Sequence, residues 1–108
     1  MVTQEQAQQI LMQAQAFQQQ MQSILSQKET LKMQQMEIKK ALEDVEKSTD
    51  AHVYKASGPI LIKSSKEDVK KELSEKDEFI STRLQTLDRS EKKVKEKIEE
   101  LREKLSKE

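Results

Sequence analysis

The stretch VYKASGPILIKSS, residues 53–65, interrupts a chain that is otherwise rich in helix-forming residues. It holds the only Gly, the only Pro and the only Tyr of the 108 residues. The turn sequence Ser-Gly-Pro at 57–59 separates two segments, 53–55 and 60–64, that are rich in β-branched and aliphatic side chains. This composition predicts a single β-hairpin with strands of four or five residues, with His52 at its edge.

The hairpin sequence also predicts a surface that needs a partner. Three consecutive apolar residues, Ile60 to Ile62, would place apolar side chains on both faces of a two-stranded ribbon, which is marginal on its own in water. Unpaired strand edges pair with strands of other subunits, and closure into a barrel removes those edges. The alternative is a linker with an accidental apolar triplet. The residues expected to mediate subunit assembly are Val53, Tyr54, Gly58, Ile60, Leu61 and Ile62.

On either side of the hairpin, apolar residues recur at heptad spacing, which is typical of a coiled coil. The first series is Ile10, Phe17, Ile24, Leu31, Ile38 and Val45, with Ala7, Ala14, Met21, Lys28, Gln35 and Leu42 as companions. The second is Leu73, Ile80, Leu87, Val94 and Leu101, with Asp77, Leu84, Glu91, Ile98 and Leu105 as companions.

These patterns predict a mainly α fold, in which a long antiparallel coiled-coil helical hairpin carries the β-hairpin between its two helices. We expect one domain over residues 1–108, with helices at about 3–48 and 65–107 and the assembly hairpin at 49–64. Ser64 or Ser65 is placed to cap the second helix.

Four polar residues occupy core positions of the heptad grid. The simpler interpretation is that their stems cover the seam and their heads reach water; the alternative is that they fix the register of the two helices. These residues are Lys28, Gln35, Asp77 and Glu91.

Composition excludes several classes of function. Twenty basic and twenty acidic residues give zero formal charge, which argues against nucleic acid as a partner. The chain has no Cys and one His, so no metal site is expected, and neither a membrane-length apolar run nor a signal peptide is visible. No catalytic constellation or phosphate-binding loop is present, so we expect a cytoplasmic protein that is not an enzyme and uses no cofactor.

The residues carry a family resemblance that covers nearly the whole chain. The segments VYKASGPILIKSSKEDVKKEL, QKETLKMQQMEIKKALEDVEK and LQTLDRSEKKVKEKIEEL resemble β-class prefoldin subunits of archaeal type. The departure is Pro59 directly after Gly58, which removes one backbone donor and leaves the turn pairing open.

The resemblance implies a hexameric, ATP-independent chaperone that captures non-native polypeptides and passes them to a group II chaperonin. The expected assembly contains two α-class and four β-class subunits, whose hairpins form barrels from which the coiled coils hang. A docking role for the C-terminal tip toward the chaperonin is possible on family grounds.

If the hairpins form the hub, the free tips combine the start of the first helix with the end of the second. Residues 1–27 contain no Lys or Arg, one acid and many Gln, so they can meet varied apolar sequences without charge selectivity. Ile10 and Phe17 could equally be ordinary seam residues, whereas Leu11 lies off the series and is expected to be exposed. The predicted client-binding residues are Ile10, Leu11, Met12, Phe17, Val94, Ile98, Leu101 and Leu105.

A second hypothesis shares every feature except the tip function: a coiled-coil scaffold or tether that binds particular folded partners. Suppression of aggregation of an unfolded protein separates the two. Nucleic-acid binding is a third hypothesis, which would require a basic stripe.

Overall fold

The computed structural model describes residues 2–106. Along the chain, one β-hairpin lies between two long helices. The elements are α1 (Gln4–Lys47), β1 (His52–Ser57), β2 (Ile60–Ser65) and α2 (Lys66–Ser106). The predicted fold class is confirmed. Residue 107, where we placed the end of the second helix, lies outside the described residues.

Side-chain caps define where both helices begin. At the start of α1, the backbone N–H of Gln6 donates to Thr3 Oγ1 at 3.1 Å, and the N–H of Thr3 donates to Gln6 Oε1 at 2.9 Å. This is a reciprocal capping box, which satisfies two backbone donors that the helix itself leaves open. For α2, the N–H of Asp68 donates to Ser65 Oγ at 3.1 Å. Ser65, one of the two predicted caps, therefore starts the second helix.

The strands of the β-hairpin are longer than the sequence predicted, at six residues each. They pair antiparallel from His52 opposite Ser65 to Ser57 opposite Ile60. Gly58 has a φ of 59°, the positive value that a type II′ turn requires at its first central position. The residue at the second central position donates no backbone hydrogen bond to the strand pairing, so Pro59 fits there. Ser57 and Ile60, on either side of the turn, are paired with each other.

The chain divides into two compact units, which we call the terminal unit and the hairpin unit. The terminal unit comprises residues 2–30 and 84–106 of the described chain, and the hairpin unit comprises residues 31–83. Every heptad position of both series is buried or half-buried, as the periodicity predicts. The most buried side chains are Ile10, Ile24, Leu87, Val94 and Leu101 in the terminal unit and Ile80 in the hairpin unit.

Three of the four polar residues at core positions, Lys28, Gln35 and Glu91, correct the simpler interpretation of the sequence. In the terminal unit, Lys28 Nζ lies 2.6 Å from Asp88 Oδ1 and 2.9 Å from Glu91 Oε2, and its side chain is only 14% exposed. In the hairpin unit, Gln35 Nε2 donates to Ser81 Oγ at 2.8 Å. The heads of Lys28 and Gln35 thus bond across the seam instead of reaching into water. Such pairs favour one register, because a shifted helix would leave them without partners.

Candidate functional site

The β-hairpin presents apolar side chains on both faces, and the chain itself covers little of them. Pairing sets Lys55 opposite Ile62 and Ala56 opposite Leu61, so successive residues point to opposite faces. Val53, Ile60 and Ile62 share one face, and Tyr54 and Leu61 share the other. Only Val53 is half-buried; the other four large apolar side chains are exposed. A surface of this kind fits association with other chains.

Lysine contacts attach the hairpin to the helices within the hairpin unit. Lys66 begins α2; its N–H donates to the Ala51 carbonyl at 3.0 Å and its ammonium donates to the Ser48 carbonyl at 2.9 Å. The ammonium also lies 3.3 Å from the Glu46 carbonyl, so its charge complements the negative end of the α1 dipole. Lys55 Nζ lies 2.6 Å from Glu72 Oε1, joining β1 to α2. These bonds set the direction in which the hairpin leaves the helices.

Two ion pairs of the hairpin unit shift three pKa values: Lys55 of β1 with Glu72 of α2, and Glu46 of α1 with Lys70 of α2. Glu72 has a lowered pKa because its carboxylate accepts a hydrogen bond from Lys55. The pKa of Glu46 is lowered by its hydrogen bond from Lys70, and the pKa of Lys70 is raised by the same bond. All three charged forms are therefore favoured in the folded protein.

The predicted client-binding residues, all in the terminal unit, separate into three groups by burial. Ile10, Val94 and Leu101 are buried, whereas Leu11 and Met12 are exposed. Leu11 follows the seam residue Ile10 by one position, and a helix turns by about 100° per residue, which carries Leu11 away from the partner helix. The half-buried members of the set are Phe17, Ile98 and Leu105.

A shallow groove brings two of these residues together. Phe17 and Leu101 line it, and Lys97, Glu100 and Lys104 contribute to its walls. Leu11 and Met12 are not among its lining residues. The predicted client-binding residues therefore offer apolar surface at two separate places: a seam-edge groove and the exposed Leu11–Met12 pair.

Several exposed apolar residues were not singled out from the sequence. Leu25, Met33, Met36 and Phe79 are all exposed and lie off the heptad series. Their position off the heptad series could have predicted this exposure, because a large apolar residue outside the seam has no partner within a two-helix pair.

No helix within residues 2–106 is long and apolar enough to cross a membrane. Over the same residues, no group of three or more His, Cys, Asp or Glu side chains is arranged to hold a metal ion.

Comparisons with known proteins agree with this architecture. The family model described as "Prefoldin subunit" matches residues 8–108. The prefoldin subunit beta of Pyrococcus furiosus is 44% identical over 101 residues, covering 93% of this chain and 86% of that protein. Its counterpart from Archaeoglobus fulgidus is 42% identical, with coverage of 93% and 87%. The crystal structure of the prefoldin beta subunit from Thermococcus strain KS-1 superposes with a TM-score of 0.84 at 39% identity, covering 92% of this chain and 88% of that one.

Proposed function

Because the chain belongs to the prefoldin subunit family, whose members are non-enzymatic chaperone subunits that assemble with one another, we propose that it is the β-class subunit of a chaperone hexamer. The hexamer contains two α-class and four β-class chains. It holds non-native polypeptides without ATP and passes them to a group II chaperonin, in the cytoplasm.

The hairpin is the assembly module in this proposal. Its exposed apolar residues lie on both faces, and Lys55 and Lys66 fix its direction relative to the helices. Burial of each large side chain would contribute about 1.5–3 kcal/mol. A few such residues from each subunit are enough to support a stable hub.

The terminal unit is the client-binding region. The observation that carries this assignment is the exposure of Leu11 and Met12 in a segment, residues 2–27, with no Lys or Arg and one acid. An exposed apolar pair without charged neighbours on its own helix can bind apolar segments of many sequences. At the groove lined by Phe17 and Leu101, a client competes with the partner helix for contact with these seam residues.

The test compares the hexamer carrying Leu11→Ser and Met12→Ser with the wild type, using a chemically unfolded model protein that aggregates on dilution. We expect weaker suppression of aggregation and an unchanged hexamer mass. The matched control is Met33→Ser with Met36→Ser, which removes two equally exposed residues outside the terminal unit. Wild-type hexamer that leaves aggregation unchanged would favour the scaffold hypothesis.

A further inference from the structure

An apolar groove lies along one side of the hairpin unit, and none of the residues assigned above to client capture lines it. Its volume is about 660 Å³. Its floor is the edge of the seam, and its apolar lining consists of Leu31, Ile38, Leu73, Phe79 and Ile80.

Phe79 distinguishes this groove from the ordinary edge of a coiled coil. It directly precedes the buried Ile80, so the helical rotation of about 100° per residue carries its ring out of the seam. The side chain is 73% exposed. An aromatic ring standing beside a strip of aliphatic seam residues forms a wall against which a further apolar side chain can pack.

The rim of the groove is acidic. Glu37, Glu72 and Glu75 line it together with one cation, Lys76. Glu72 is paired with Lys55 at 2.6 Å. Glu37 and Glu75 form no salt bridge with any of the residues that the structure describes, so their charges are available to an incoming cation.

A second groove of the same unit has the opposite character. Lys32 and Lys39 line it with Asp77, around Met36 and the seam residue Leu42. Met36 is 71% exposed, nearly the same as Phe79. The two grooves therefore match in the exposure of their apolar residue and differ in the sign of their rim.

We propose that the Phe79 groove is a docking site for apolar segments of non-native polypeptides that are flanked by Lys or Arg. The proposal rests on the chaperone function above and adds a second, charge-selective site to it. The open groove lacks convergent buried polar groups that would orient a small molecule, and it fits side chains of an extended chain. The acidic rim selects those segments whose cations can meet Glu37 and Glu75.

The experiment measures binding of three labelled, unstructured peptides to the assembled hexamer by fluorescence anisotropy. The peptides share the same Leu and Phe residues and differ only in flanks of Lys, Glu or Ser. Phe79→Ser should lower the affinity for the Lys-flanked peptide about tenfold, the value of one large apolar contact. Glu37→Gln with Glu75→Gln should lower it roughly twofold to fivefold and only at low salt, since exposed ion pairs are weak and screened. Met36→Ser, the matched control, should leave it unchanged.

Each contrary result has a distinct meaning. If Phe79→Ser and Met36→Ser lower the peptide affinity equally, the groove assignment alone is overturned. The same holds if Phe79→Ser leaves the affinity unchanged while the wild type still suppresses aggregation. A changed hexamer mass in Phe79→Ser would assign the groove to a neighbouring subunit and overturn the client assignment. A wild-type hexamer that holds no unfolded protein would overturn the proposed function itself.

Discussion

Leu87 and Leu61 are the same residue in two regions of one chain, and their surroundings differ completely. Leu87 is buried in the seam, where the opposite helix covers it. Leu61 is exposed on the β-hairpin, where the chain supplies no cover. The seam buries its apolar residues within the chain, whereas under the proposed function the apolar residues of the hairpin are covered by other subunits. If the hairpin is the assembly module proposed above, folding and assembly use separate sets of apolar residues, and each can be disturbed without the other.

The largest expected effect comes from charging the hairpin. Ile60→Glu with Ile62→Glu should abolish assembly with the α-class subunit, because a buried unpaired carboxylate costs far more than one apolar contact contributes. Light scattering coupled to size-exclusion chromatography gives the mass, and circular dichroism should show that the helices remain.

The matched control for that variant is Leu25→Glu with Met33→Glu. The exposed fractions of the two variants match site by site: Leu25 is 46% and Ile62 is 45% exposed, and Met33 is 58% and Ile60 is 59% exposed. A control variant that also fails to assemble, or a hairpin variant that still forms the hexamer, would contradict the division between seam and hairpin.

The next effect in size concerns the seam. Leu87→Ala should lower the free energy of unfolding by about 2–5 kcal/mol, through lost burial and the cavity left behind. Thermal unfolding followed by circular dichroism measures it, while the mass of the hexamer at low temperature stays the same. Leu25→Ala, on the exposed side of α1, should change stability by no more than about 0.5 kcal/mol. Equal effects at the two sites would mean that Leu87 does not lie in a closed seam.

A smaller effect is expected at the turn of the hairpin. Gly58 has a φ of 59°, which costs an L-residue about 1–2 kcal/mol. Nothing lies within 4 Å of a Cβ built there, so Gly58→Ala introduces backbone strain without a clash. Dissociation of the hexamer in urea should begin at a lower concentration, and Gly58→Asn, which tolerates this conformation, should restore most of the loss. Equal behaviour of the two variants would argue against strain as the cause.

The smallest effect concerns two ion pairs of the hairpin unit, Lys55 with Glu72 and Lys70 with Glu46. Glu46 and Glu72 have lowered pKa values, so their contribution to stability is present above the ordinary value of 4.5 and is lost as pH falls through their folded pKa. We expect the melting temperature to fall slightly more in that acidic range for the wild type than for Glu46→Gln with Glu72→Gln. Parallel pH profiles would show that these ion pairs contribute nothing measurable.

Regular features were predictable from the sequence because they follow from periodicity and turn chemistry. The heptad series identified every buried residue, and its phase explains why Leu11 is exposed while Ile10 is buried. The Ser-Gly-Pro turn located the hairpin. The capping box of Thr3 and Gln6 follows the pattern Thr-x-x-Gln, which is typical of a helix start.

Features that depend on tertiary alignment were not predictable in the same way. To predict the pairing of Lys28 with Glu91, one needs the register of the two helices as well as the heptad positions of both residues. Asp88, which also pairs with Lys28, does not lie on the heptad grid. Lys66 reaches carbonyls at the end of α1 only once the hairpin has formed. The heptad pattern does not single out Phe79, because the groove that Phe79 lines is formed by residues of both helices.

The bond from Lys66 to the Ser48 carbonyl also has a consequence for the order of folding. It closes a loop of 18 residues, whereas Gln35 with Ser81 spans 46 and Lys28 with Glu91 spans 63. Since the entropy lost on closing a loop grows with its length, the connector should form first and the helices should zip from it toward the chain ends. Pulsed hydrogen exchange during refolding would reveal this order. The residues that close last are also the first to open, so the terminal unit should open more readily than the hairpin unit.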